Sequence, residues 1–148
     1  MLDKLEALYV GYLSEFRRLE QGRKPLEGAF GLGSGPRSYP CHDKFAQDLE
    51  RLLRDLAARS PSSEEVSQAL NYIYFTAPAR FQTGPAVDWM LLAVHGFTLE
   101  LIGLLDAAEA APLCRAYGSA YPRLRRLPVQ NKLFAALQKR GGTDRRKA

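Results

Sequence analysis

At 148 residues and 16.5 kDa the chain has the length of one compact domain. Hydrophobic residues at 46%, charged residues at 25% and a mean hydropathy of -0.27 exclude wholesale disorder, a collagen repeat and a coiled-coil rod. The formal net charge of +5 conceals a division: residues 1–110 hold 11 Lys or Arg against 15 Asp or Glu, giving -4, whereas residues 111–148 hold 10 basic residues against Asp144 alone, giving +9. A one-sided field of that kind attracts acidic proteins or nucleic acid whatever the fold.

A first helix over 2–20 follows from Leu2, Leu5, Tyr9, Tyr12, Phe16 and Leu19, spaced three and four apart. The period vanishes over 22–40, where Gly28, Gly31, Gly33, Gly35, Pro25, Pro36 and Pro40 accumulate and predict a long Gly/Pro-rich loop. A second helix over 43–59 turns Phe45, Leu49, Leu53 and Leu56 inward and stops at Ser60-Pro61. Ser62 and Glu65 form a capping-box pattern for a third helix over 63–76. Residues 86–105 are apolar nearly all round and predict a helix at the centre of a bundle. Asp106 and Glu109 repeat the cap spacing for a helix over 107–117, which Pro112 should break and Gly118 should stop. Pro128 opens a last helix over 128–140, and a basic tail at 141–148 is expected to be disordered.

These elements define an all-α fold, a single helical domain over 1–140 built as a compact multi-helix bundle of about six helices. A short solenoid-like stack of helical hairpins is the alternative, ranked second because no fixed-period self-similarity is visible. The expected core is Leu5, Tyr12, Phe16, Leu49, Leu53, Ile73, Met90, Leu91, Val94 and Leu101.

Asp3 and Glu6 interrupt any apolar run at the start, so no secretory signal is visible. Residues 89–105 are shorter than a bilayer span and carry His95, Thr98 and Glu100, so no membrane partner is expected. With only Cys41 and Cys114 there is no disulfide framework, and a cytoplasmic location with two free thiols fits best.

Chemistry is sparsely signalled. Gly31 to Ser38 overlays a phosphate-binding G-x-x-x-x-G-K-[ST] loop, but Pro36 replaces the second glycine, Arg37 replaces the lysine, and no strand precedes it. Cys41-His42-Asp43 gathers a nucleophile, a base and a carboxylate, yet neighbouring side chains diverge, which argues against a triad. If one thiol is reactive it is Cys41, because a helix starting after Pro40 would lower its pKa. Cys41, His42, His95 and Cys114 lack metal-ligand spacing, and neither a metal nor a cofactor is expected. Asp88 and His95, seven apart on the central helix, are candidates for one polar pocket. No catalytic set emerges.

The basic third carries the strongest signal. Arg123, Arg125 and Arg126 precede the final helix, Lys132 lies in its first turns, and Lys139 and Arg140 lie in its last. A helix-turn-helix reading built on Leu113, Gly118, Leu124 and Leu127 is strained by Pro122 and Pro128. A second version makes Gln130, Asn131 and Lys132 base readers. The leading expectation is a small cytoplasmic interaction or regulatory protein that binds an acidic protein partner through this basic C-terminal surface. The alternative is nucleic-acid binding through the same region. No pattern is specific enough to name a family.

Overall fold

The apolar stripes become six helices, with no strand among the described residues, in a computed structural model that describes residues 1–21, 40–81 and 84–142. Helix α1 is Leu2–Gln21 and α2 is Pro40–Ala58. Helix α3, Ser63–Asn71, continues through a π-helical turn, Tyr72–Thr76, into a last turn, Ala77–Arg80. Helix α4, Pro85–Ala93, continues through a 3-10 segment, Val94–Thr98, into Leu99–Ile102. Helices α5, Ala107–Ala120, and α6, Pro128–Gly141, flank a 3-10 turn, Arg123–Arg125. The glycine motif at 31–38, the rest of the predicted loop up to 39, and the tail from 143 lie outside the described residues.

All ten expected core residues are buried. Helix α1 packs along α2 and touches α3, α3 packs on α5, and the 3-10 segment and last turn of α4 lie against both α2 and α6. Helices α5 and α6 share the most extensive contact between elements among the described residues. The run Pro85–Ile102, with a hydropathy of 1.3, is long and apolar enough to cross a membrane by length and composition, and 44% of it is buried inside the bundle.

Helix α4 ends at Ile102, three residues short of the expected 105, and four other boundaries differ from expectation for a local reason. Helix α2 begins at Pro40, three residues early, because proline's fixed φ and missing N–H suit the first helical position. Helix α3 runs past residue 76 and through Pro78. That proline cannot donate to the carbonyl four residues back, Tyr74 O, and its ring would collide with it. The π turn opens this stretch of helix, with Ala77 N–H donating to Tyr72 O, and the Tyr121 hydroxyl donates to Tyr74 O instead. Helix α5 passes through Pro112 without a break and is not ended by Gly118. Gly118 serves packing there: a Cβ on it would lie 3.0 Å from the Phe134 ring of α6. Finally, Gly141 belongs to α6, and Gly142, at φ 69°, takes the left-handed conformation that ends the helix.

The N-cap bonds of the predicted patterns form, without the reciprocal Glu65 bond of a full capping box. Ser62 Oγ accepts from Glu65 N–H at 3.1 Å, and the Asp106 carboxylate accepts from Glu109 N–H at 2.9 Å. At α6 the N-cap is Leu127, whose N–H donates to Gln130 Oε1 at 2.9 Å.

Candidate functional site

The turn between α5 and α6 is bracketed by Pro122 and Pro128 and closed by Arg125 N–H donating to Pro122 O at 2.9 Å. Arg126 pins it from inside. Its Nε donates to Tyr121 O at 2.6 Å, and its guanidinium lies over the Phe134 ring, 4.1 Å from the centroid. Arg123 and Arg125 project into solvent, and Leu124 between them is 97% exposed.

Further along, Lys132 and Lys139 are exposed on α6 and seven residues apart, so they share one face about 10 Å apart along the axis. Arg140 is exposed but tethered, its Nε donating to Leu105 O. The six predicted cations therefore separate into four free ones, Arg123, Arg125, Lys132 and Lys139, and two that also hold the backbone, Arg126 and Arg140.

Ion pairing is divided the same way. Among the described residues every ion pair lies within α1 to α3: Arg18–Glu15, Lys44–Asp48, Arg51–Asp48, Arg54–Glu50, Arg59–Glu65 and Arg80–Glu6. None involves a cation after Arg80. No acidic residue occurs between Glu109 and Asp144, so Arg123, Arg125, Arg126 and Lys132 have no acidic residue near them in sequence.

The other candidates are placed differently. Asp88 is exposed whereas His95 is fully buried, so the two do not share a pocket. Asp88 stands exposed in the first turn of α4, whereas the 3-10 segment that carries His95 packs against α2 and α6. His95 Nδ1 instead lies 2.9 Å from the Tyr117 hydroxyl, within an aromatic cluster of Tyr74, Tyr117 and Tyr121. Thr98 Oγ1 donates to His95 O at 2.7 Å and so accepts from the Tyr74 hydroxyl at 2.5 Å. Burial lowers the His95 pKa to about 3, against a smaller upward pull from the Ile73 carbonyl.

Cys41 does occupy the first turn of α2, but it is buried, and desolvation outweighs the backbone N–H groups around it and raises the thiol pKa. The expected helix start at 43 leaves Cys41 outside the helix, its place in a first turn stands only as a condition, and its burial is missed. His42 turns inward to Tyr12, whose hydroxyl is 2.8 Å from Nδ1, while Asp43 faces solvent, so the three neighbours diverge. Cys41, Tyr12, Glu15, Lys44 and Asp48 edge a groove of about 550 Å³ between α1 and α2. Cys41 and Cys114 are both buried and are not joined in a disulfide. No group of three or more His, Cys, Asp or Glu among the described residues is arranged to hold a metal ion.

Two of the nucleic-acid readings lose residues. Gln130 is fully buried and caps α6, so it reaches no base edge, and Leu124 is exposed where a helix-turn-helix core would bury it. Asn131 and Lys132 remain at the surface. Sequence reasoning missed the pinning role of Arg126; the aromatic eight residues on, at the same level as the turn, becomes recognisable only once α6 is built. No family model, curated protein or solved structure matches the chain.

Proposed function

We propose that this is a cytoplasmic interaction or regulatory protein that recruits an acidic protein through its C-terminal surface, with Arg123, Arg125, Lys132 and Lys139 as the contact charges. One observation carries the reading: these exposed cations make no ion pair, while those of α1 to α3 are largely paired. Unpaired exposed cations cost little in the free protein and steer an oppositely charged partner onto the surface. Arg126 and Arg140 add charge but serve first to hold the backbone. Two buried cysteines that form no disulfide support a reducing compartment.

The test is affinity purification of the tagged wild type beside an Arg123→Ala/Arg125→Ala/Lys132→Ala/Lys139→Ala variant, with and without nuclease. The expected result is an acidic protein retained by the wild type, released by salt, lost from the variant and indifferent to nuclease. Recovery of nucleic acid, with log K falling against log salt by about 0.9 per phosphate contact on duplex DNA, would move the assignment to nucleic-acid binding.

A further inference from the structure

We infer that the turn at 122–126 is the docking element of that surface, and that it inserts Leu124 into an apolar pocket with an acidic rim on the partner protein. The inference rests on the proposed acidic partner and adds what that partner must look like.

Three observations meet at this turn. Leu124, at 97% exposure, is the most exposed of the large apolar side chains among the described residues; the next, Trp89, is at 57%. A single exposed leucine is ordinary on a protein surface and by itself signifies nothing. Here, however, it stands between two exposed arginines without ion pairs, so an apolar contact and two charge contacts point outward together. The turn that presents them is also held in shape before any partner arrives. Pro122 and Pro128 restrict its ends, the 3-10 bond from Arg125 N–H closes it, and Arg126 ties it to Tyr121 O and to the Phe134 ring. Preorganisation removes the ordering cost that a loop would otherwise incur on binding.

Charge complementarity selects the occupant. A purely polyanionic partner would use Arg123 and Arg125 but leave Leu124 wet. An apolar pocket without acids would desolvate the two guanidiniums with nothing to pair them. A concave apolar patch ringed by carboxylates satisfies all three side chains. Arg126 is then a positioning residue, contributing through the shape of the turn.

The experiment places a photo-reactive diazirine leucine analogue at position 124 of the full chain, with the same analogue at Val10, itself 44% exposed, as control. Cross-linked peptides are read by mass spectrometry. The captured protein is then purified and titrated with wild type, Leu124→Ser and Arg123→Ala/Arg125→Ala. The expected cross-link from position 124, absent from position 10, falls on an apolar residue within an acidic stretch of the captured protein. Leu124→Ser should lose about tenfold or more in affinity with an unchanged salt slope, as loss of a buried leucine contact implies. The double arginine variant should lose affinity and flatten the salt slope. Both variants have substitutions only at exposed positions, and matched circular dichroism melts establish that each is folded. If Leu124→Ser binds like wild type while the arginine variant is weakened, the docking role is overturned and the basic-surface reading stands. If both bind like wild type, both readings fall. Cross-links confined to nucleic acid or to lipid, or equal capture from position 10, overturn the docking role.

Discussion

Arg126 shows how a cation can serve a fold through its shape. Its guanidinium covers the Phe134 ring and its Nε holds the Tyr121 carbonyl, so Arg126→Ala removes a stacked plane and a hydrogen bond together. A loss of about 1 to 2 kcal/mol in unfolding free energy is expected, against less than about 0.5 kcal/mol for Arg123→Ala. Urea denaturation of the two variants checks the contrast, and equal midpoints would reject it. At the same scale, Cys41 borders the α1–α2 groove whereas Cys114 faces the core beside Leu113, so Cys41 should be the faster of the two to alkylate in the folded protein. Because burial raises its pKa, its rate should climb with pH to a midpoint above that of an exposed thiol, and both cysteines should react far faster in denaturant. Iodoacetamide labelling followed by mass spectrometry reads both sites, and faster labelling of Cys114 would reverse the assignment.

Between elements, glycines report how closely helices approach. A Cβ on Gly141 would lie 2.9 Å from the Ala111 backbone of α5, and backbone cannot step aside. Gly141→Ala should therefore destabilise the α5–α6 pair by about 1 to 3 kcal/mol. Gly11, inside α1, has open space where a Cβ would stand, with nothing within 4 Å, so Gly11→Ala should stabilise by about 0.5 to 1 kcal/mol through helix propensity. Thermal melts of the pair should move in opposite directions. These roles mark what was legible in the chain. Caps at Ser62 and Asp106 are local, needing only a side chain and an N–H three residues on, and they read directly from spacing. Pro78, Pro112 and Gly118 look like stops when taken alone. Whether a proline ends a helix depends on who takes up the freed carbonyl, and for Tyr74 that group is Tyr121, 47 residues away. The same holds for the candidate site. Charge asymmetry was visible in composition, but the sorting of six cations into free and tethered ones depends on Phe134, Tyr121 and Leu105, partners brought close only by folding.

Across the whole molecule, the buried histidines and tyrosines set a pH window. Burial lowers His95 to about 3 and lowers His42 as well, so below the ordinary histidine pKa of about 6.5 the unfolded chain binds more protons than the folded one. Their stabilisation is complete above about 6.5 and is lost as pH falls from there toward the folded values, by at most about 1.4 kcal/mol per pH unit for each histidine. On the alkaline side, burial raises Tyr9, Tyr12, Tyr74 and Tyr117, and raises Tyr121 to about 12. Unfolded tyrosines lose their protons near pH 10, so this contribution is intact below about 10 and is lost as pH rises beyond it. Urea titrations at stepped pH should give a plateau from about 7 to about 9.5 with a decline on each side. Proton NMR of the His95 ring should report a neutral imidazole down to about pH 5; a charged ring at pH 6 would contradict the assignment.

The π turn in α3 has a consequence for how this chain tolerates change in length. One extra residue is wound into the helix there, which turns everything after it by about 100° relative to everything before it. Within the turn Tyr74 meets His95 and Tyr117; beyond it Phe81 stacks on Tyr9 and Arg80 reaches Glu6 of α1. Removing a single residue between 72 and 76 would restore regular winding and swing that far end off α1. Helix α3 thus has a counted length, in which an insertion or deletion trivial for a surface loop would detach one wall of the core.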